Sequence, residues 1–571
     1  MNFSVWAPMA QELKLELGST THAMHRDESG WWTVELPAVS GETRYRFIVD
    51  GGAPLPDPRS RWQPDGVHGA SCVWDTAALS GLDRVPFSPV PLTQAVFYEL
   101  HIGTFTPEGT YAAARGKLDH LRDLGVTHVE LMPLATFPGE RGWGYDGVYL
   151  YAPHPTYGTP AELADFIEDC HRHGLAVILD VVYNHLGPDG NYLGAFGPYF
   201  TSHWKTPWGD AVNFDGPESD TVRAFFFDNA LMWLRDYRFD GLRIDAVHTM
   251  LDGRARHVLE ELGERVAALG RESRRELVLI GESDRNDPRY VRPPEWGGYG
   301  LHAHWADDFH HAVHAYFTGE MEGYHGDFSG LKDVVAALQQ GYVYVGQYSR
   351  FRRRGHGRPP RGVRPEQLVI CLQNHDQIGN RALGERMSML VSMDALKAMA
   401  ALLLLSPNAP LMFQGEEWGA RTPFLYFTDH HQPELARAVT EGRRREFAAF
   451  KWQQESVPDP QERSTFVHSK VRWAELEEPQ HQEVLEWHRA LIALRRERAP
   501  EERWDREAHA DEEARWLTLR VGRHLVMLNL ANHAQRIPAP EGEMERVLGP
   551  ADVTQPGDPM PPRSTCVWRR R

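Results

Sequence analysis

Leu175-Ala176-Val177-Ile178-Leu179-Asp180-Val181-Val182 is an apolar run broken near its end by one carboxylate, and Tyr183-Asn184-His185 follows directly. A run of this length without polar alternation is the pattern of a strand buried on both faces. Seven further runs share the texture: Val96 to Leu100, His128 to Met132, Gly241 to Val247, Leu277 to Ile280, His304 to Trp305, Leu368 to Leu372 and Pro410 to Phe413. Helical patterns sit between several of them. Leu163, Phe166, Ile167 and Cys170 fall at i, i+3, i+4 and i+7, and Val222, Phe225, Phe226, Ala230, Trp233 and Leu234 form a second stripe behind a capping candidate, Ser219. Spacing alone does not settle closure. Eight strands alternating with helices nevertheless favour an α/β fold of the (β/α)8 TIM barrel type over an open sheet.

Outward from this core the texture changes twice. Phe3 to Trp6, Leu13 to Leu17, Trp31 to Leu36 and Tyr45 to Val49 read as short strands punctuated by Gly30, Gly41 and Gly51-Gly52, the pattern of a β-sandwich. Arg84-Val85-Pro86-Phe87-Ser88-Pro89 reads as a linker, and the helix-like Glu483 to Arg498 closes the middle region. Alternation returns in Leu517 to Val521 and His524 to Leu530. The expected domains are therefore an N-terminal β-sandwich over 1–88, a catalytic barrel over 89–500 and a small C-terminal β-domain over 501–571.

Composition narrows the function. The chain has 571 residues, 42% hydrophobic and 25% charged, as globular proteins do. Its formal charge of −18 disfavours a nucleic-acid or anionic-membrane partner. Arg350 to Arg364 holds seven arginines, and with that net charge a solvated or substrate-covering loop is expected there. No run approaches the roughly 18 apolar residues of a membrane span, and Met1-Asn2-Phe3-Ser4 lacks the marks of a signal peptide. Cys72, Cys170, Cys371 and Cys566 are widely spaced, which fits reduced thiols and a cytoplasmic location. The expectation is an enzyme with a deep cleft and an uncharged substrate.

In a barrel the working groups emerge at the C-terminal strand ends. Here those ends read Asp180-Val181-Val182-Tyr183-Asn184-His185, Arg243-Ile244-Asp245-Ala246-Val247-His248, Gly281-Glu282-Ser283-Asp284 and Asn374-His375-Asp376-Gln377. Each carboxylate alone reads best as a salt bridge or loop cap. Asp245, Glu282 and Asp376 together, on three strand ends with two histidines, meet the requirement of glycoside chemistry. One carboxylate attacks, a second with raised pKa protonates the leaving oxygen, and both face an oxocarbenium-like transition state.

These four segments resemble the four short sequence regions of the α-amylase superfamily, glycoside hydrolase family 13, in order and in strand context. Val5-Trp6-Ala7-Pro8 resembles the N-terminal sandwich of glycogen-modifying members. The resemblance implies that Asp245 is the nucleophile, Glu282 the general acid/base and Asp376 the third carboxylate, which holds sugar hydroxyls. It implies that His185 and His375 bind the sugar at the cleavage point and that Tyr145, in Trp143-Gly144-Tyr145-Asp146-Gly147, lies under that ring. Arg243 alternates onto the face of Asp245 and is expected to pair with it.

The catalytic set does not fix the reaction, so the surroundings decide the branch. Tyr98 to Thr106 is shared with debranching members. Asn184 to Leu193, Pro198 to Thr201, Glu282 to Arg289, Asp307 to His311 and the arginine-rich stretch with His356-Gly357-Arg358-Pro359 are closer to trehalose-releasing members than to branching enzymes. The implied substrate is maltooligosyltrehalose and related α-glucans, taken by a monomer; glycogen branching is the rival reading. Asp307, Asp308, His310, His311, Gln377, Asn380 and His248 are the candidates for reading the sugars beyond the reacting bond. His310 and His314 stand at i, i+4, a spacing that metal sites use, but without the Glu of HExxH no metal is expected. Asn184 matches a position that many amylases turn to calcium. Without an accompanying ligand set, neither calcium nor a cofactor is expected.

Overall fold

The computed structural model describes residues 1–571 except 38, 40, 75–78, 80–83, 449–456 and 540–541. Eight parallel strands form its centre. They are β1 Phe97–Leu100, β2 His128–Leu131, β3 Ala176–Val181, β4 Gly241–Ile244, β5 Val278–Gly281, β6 Ala303–Trp305, β7 Leu368–Cys371 and β8 Ala409–Phe413. They hydrogen-bond in sequence order, and β8 pairs with β1, so the barrel closes.

Side chains alternate along each strand, which sorts the interior into layers. Phe97, Ile178, Ile280, Ala303, Trp305, Val369 and Leu411 pack into one apolar cluster there. Gly241 belongs among them because a Cβ there would come within 2.4 Å of Val278 Cγ2. Two residues further along the strands the interior turns polar: Glu99 lies opposite Glu130 and Asp180 opposite Arg243 in register. The buried charges thus begin where the apolar plug ends, at the mouth.

Helices cover the outside. α1 Leu118–Leu124 ends on Gly125 at φ 97°. α2 Pro160–Arg172 starts from a capping box, Thr159 with Glu162, and buries the expected Leu163, Phe166, Ile167 and Cys170. α3 Ser219–Arg235 begins at Ser219 itself, behind Glu218 in the left-handed region at φ 64°, so Ser219 is not the cap. α4 Val258–Ser273, α5 Asp308–Thr318, α6 Leu331–Gln340, α7 Met393–Leu404 and α8 Pro479–Arg496 continue the ring.

A three-stranded and a four-stranded antiparallel sheet build the N-terminal sandwich, and a five-stranded antiparallel sheet from Arg506 to Arg570 closes the chain. Two hairpins rise beside the mouth. Phe200–Thr206 pairs with Gly209–Val212, and Val345–Ser349 pairs with Arg354–Gly357. The second carries Arg350 to Arg353 at its turn, so part of the arginine-rich stretch is a hairpin where a loop was expected. Among the described residues no helix is long and apolar enough to cross a membrane.

Candidate active site

β4 supplies the centre. Arg243, fully buried, lies 4.1 Å above the Trp305 ring. Its Nη1 donates to both oxygens of Asp180, at 2.9 and 2.8 Å, and to Asp245 Oδ1 at 3.0 Å. Asn184 Nδ2 donates to Asp245 Oδ2 at 2.7 Å and to its carbonyl oxygen at 2.8 Å. Both carboxylate oxygens of Asp245 are thus held by donors, while the group keeps an exposed fraction of 13%. Asn184 Oδ1 faces His185 Nδ1. The Asn184 amide thus engages Asp245 with its nitrogen and His185 with its oxygen.

Glu282 follows β5. Ala246, directly after Asp245, takes the left-handed conformation at φ 39° and aims its N–H at Glu282 Oε2, 2.6 Å away. A non-glycine residue in that region is strained, and the strain falls between the two principal acids. Burial raises the Glu282 pKa well above the ordinary range; Arg243 opposes, and Asp245, Asp376 and Asp307 add to the rise. Burial is the largest of these influences.

A hydrogen-bond chain joins the remaining groups. Glu99 Oε1 accepts from His375 Nδ1 at 2.5 Å, and Glu99 Oε2 accepts from the His375 backbone N–H at 3.0 Å. Burial alone would lower the His375 pKa, but Glu99 and Asp376 overcome it and raise it to about 9. The cationic ring donates from Nε2 to Tyr145 Oη at 2.8 Å, and Tyr145 donates to Asp180 Oδ2 at 2.6 Å. The chain runs Glu99, His375, Tyr145, Asp180, Arg243, Asp245. Burial lifts the Asp180 pKa to about 6 against the pull of Arg243. His185 stacks on Trp208, ring centres 4.2 Å apart and planes 4° from parallel, with Nε2 on the Tyr145 carbonyl at 3.1 Å.

Asp376 leans into the cleft with its side chain 47% exposed, its backbone N–H held by Asn374 Oδ1 at 2.9 Å. Beyond it opens a cavity of about 540 Å³, bordered by Asp307, Asp376, Gln377, Asn380, His310 and His311 among others. Burial, Asp284 and Asp376 push the Asp307 pKa up to about 7. Gln377 faces this cavity, but its amide oxygen accepts from Asn374 N at 3.0 Å, and Asn380 reaches back to Asp376 at 3.4 Å. His248 hydrogen-bonds the Glu282 backbone and stands beside Asp284.

Asp308 requires correction as a sugar-binding candidate. Its Oδ2 accepts from Asn286 Nδ2 at 2.7 Å, Val343 N at 2.7 Å and Tyr344 N at 2.9 Å, which pins a buried loop. His310 is 2% exposed, and its Nδ1 donates to Leu372 O at 2.6 Å. Sequence reasoning missed Glu99, whose only signal was a charge inside a buried strand, and it missed Tyr324 of the cavity wall, whereas Phe351 and Arg352 of that wall lie in the stretch expected to be a solvated or substrate-covering loop. Arg352 is locked to Asp284 at 2.6 Å, a pairing no local pattern announces.

A closed eight-stranded barrel with three converging acids at its mouth defines the α-amylase class of glycoside hydrolases. Consistent with this, the family described as alpha amylase, catalytic domain, matches residues 93–198, and carbohydrate-binding module 48 (isoamylase N-terminal domain) matches residues 1–63. A crystal structure from Salmonella typhimurium, assigned to the alpha amylases, superposes with a TM-score of 0.91 at 37% identity, covering 100% of this chain and 97% of that one. A 1,4-alpha-glucan branching enzyme of Bacillus caldolyticus is 32% identical but spans only 53% of this chain and 50% of its own. The malto-oligosyltrehalose trehalohydrolase of Rhizobium sp. (strain M-11) is 47% identical over 550 residues, 94% of this chain and 92% of the relative. The chain belongs to the malto-oligosyltrehalose trehalohydrolase family.

Proposed function

We propose that this enzyme hydrolyses the α-1,4 bond next to the terminal α,α-trehalose of maltooligosyltrehalose, releasing trehalose and a shortened glucan. The observation that carries the reading is the cleft itself: Asp245 and Glu282 sit on adjacent strand ends bridged by the Ala246 N–H, with a bounded cavity on the Asp376 side. In this reading Asp245, oriented by Arg243 and Asn184, attacks the anomeric carbon. Glu282 gives its proton to the departing oxygen of the trehalose unit, then takes a proton from the water that opens the glycosyl-enzyme. Asp376 and the cationic His375 hold hydroxyls of the reacting sugar, over Tyr145 and beside His185. Trehalose, with no reducing end, fits the cavity beyond Asp376. Aromatic Tyr324 and Phe351 and the Arg352–Asp284 pair border that cavity, which falls in the size range of small-ligand sites. All four cysteines are buried and unpaired, which supports a reducing, cytoplasmic setting.

Incubation with maltooligosyltrehalose tests both product and mechanism. Free trehalose is expected, and the new reducing end should appear first as the α-anomer in a proton NMR time course, as double displacement requires. New α-1,6 links from amylose, with no trehalose released, would instead establish a branching enzyme. An initial β-anomer would exclude Asp245 as nucleophile.

A further inference from the structure

Four imidazoles gather on the wall of the cavity that Asp376 borders. His310 and His314, four residues apart, lie on one face of α5, and His325 comes from the short turn Gly323–Asp327. One ring nitrogen of each lies within 4.8 Å of the other two. The His314 and His325 rings stack with centres 4.2 Å apart, and His311 adds its ring 5.3 Å from His310. His310, His314 and His325 are 2%, 3% and 9% exposed.

The hydrogen bonds at the back of these rings fix their tautomers. His310 Nδ1 must carry a hydrogen, because its partner is the Leu372 carbonyl at 2.6 Å. That leaves a lone pair on Nε2. His314 Nε2 donates to Glu320 Oε2 at 2.8 Å, which leaves the lone pair on Nδ1. Among the described residues His314 Nδ1 and His325 Nδ1 are both buried without a hydrogen-bond partner. Glu320 is itself fixed by a two-point pair with Arg381 at 2.7 and 2.8 Å. A carboxylate that orients a histidine through the nitrogen opposite its lone pair is the support that metal-binding histidines require.

We propose that His310, His314 and His325 form a site for a divalent cation of the zinc class, with its fourth coordination position turned to the cavity. Three neutral imidazoles suit zinc or cobalt and disfavour magnesium and calcium, which take oxygen ligands. Tetrahedral zinc holds its nitrogens roughly 3.4 Å apart. The three rings therefore close by at most about 1.4 Å, a side-chain rotation. The i, i+4 pair alone gave no reason to expect a metal. His325, joined to it only by the fold, supplies the third ligand.

The test uses the full chain, stripped with a chelator and titrated with cobalt chloride. The expected result is saturable uptake of one equivalent with the visible absorption of four- or five-coordinate cobalt, displaced by zinc chloride. His314→Ala and His325→Ala should each abolish the signal, and Glu320→Gln should weaken it by about 10- to 100-fold. His325→Ala leaves the Glu320–Arg381 pair intact, so it serves even where His314→Ala does not fold. A second histidine–carboxylate group, His68, Asp189 and His431, provides the control: His68→Ala/His431→Ala should keep the signal. Absence of saturable uptake by the unmodified protein would overturn the assignment. So would a signal that survives His325→Ala or vanishes in the His68/His431 double variant.

Discussion

Glu282 must reach the glycosidic oxygen with its proton still on, and its surroundings arrange this. Burial raises its pKa, and the nearby Asp245, Asp376 and Asp307 raise it further. Activity should therefore fall on the alkaline side as Glu282 deprotonates above its raised pKa. Glu282→Gln should remove that limb and lower turnover by about 10²–10⁴-fold, while calorimetry still detects glucan binding. An alkaline limb unchanged in the variant would transfer the acid role elsewhere. His375 works in the opposite sense. Its pKa is held at about 9 by Glu99, so the ring is cationic throughout the neutral range and loses that charge only above about 9. In Glu99→Gln burial prevails and the pKa falls. Activity should then survive in acid and disappear as pH rises through the lowered value; a profile identical to the parent's would refute the role of Glu99. The three acids stood out in sequence because each follows a buried apolar strand within five residues. Glu99 did not, because its partner lies 276 positions away. Asp307 and Asp308 looked equivalent as neighbours, yet the start of α5 turns one to the cavity and the other to the Val343 and Tyr344 amides.

At the level of elements, the barrel strands were readable and the hairpins were not, for one physical reason. Strands buried on both faces are continuous apolar runs, whereas Phe200–Thr206 mixes half-buried and exposed residues without a regular period and with no fully buried position. That hairpin nevertheless brings Trp208, 50% exposed, over His185. Burial is the leading cause of the lowered His185 pKa. Trp208→Ala should therefore let the imidazole return toward its ordinary value of about 6.5, which nitrogen-detected NMR titration of His185 would follow. The same change removes an aromatic face beside the cleavage point, so KM should rise more than kcat falls. A His185 pKa that does not move would mean that the barrel wall, and not the indole, desolvates the ring. The Val345–Gly357 hairpin read as a loop because arginine fills three of the four positions of its turn, Arg350, Arg352 and Arg353, although Arg352 is anchored to Asp284 one residue beyond the catalytic motif's serine.

At the scale of the whole molecule, the N-terminal sandwich is built onto the barrel. Trp6 is 2% exposed, and its ring meets Tyr199 edge to face at 5.5 Å. Gly197 leaves room for it: a Cβ there would stand 2.8 Å from Trp6 Cζ3. Arg59–Asp228 and Arg61–Asp236 also cross this boundary at 2.8 and 2.9 Å, but they are partly exposed, and such pairs contribute about 0–1 kcal/mol. Trp6 therefore dominates, since truncating a buried Trp to Ala costs about 3–5 kcal/mol. Tyr199 immediately precedes the hairpin that carries Trp208, so the contact also fixes one wall of the cleft. Trp6→Ala is thus expected to lower the unfolding midpoint of the barrel as well as the sandwich, within one calorimetric transition, and to raise KM. A sandwich that melts alone, with the barrel transition and KM unchanged, would show that the two parts are only tethered.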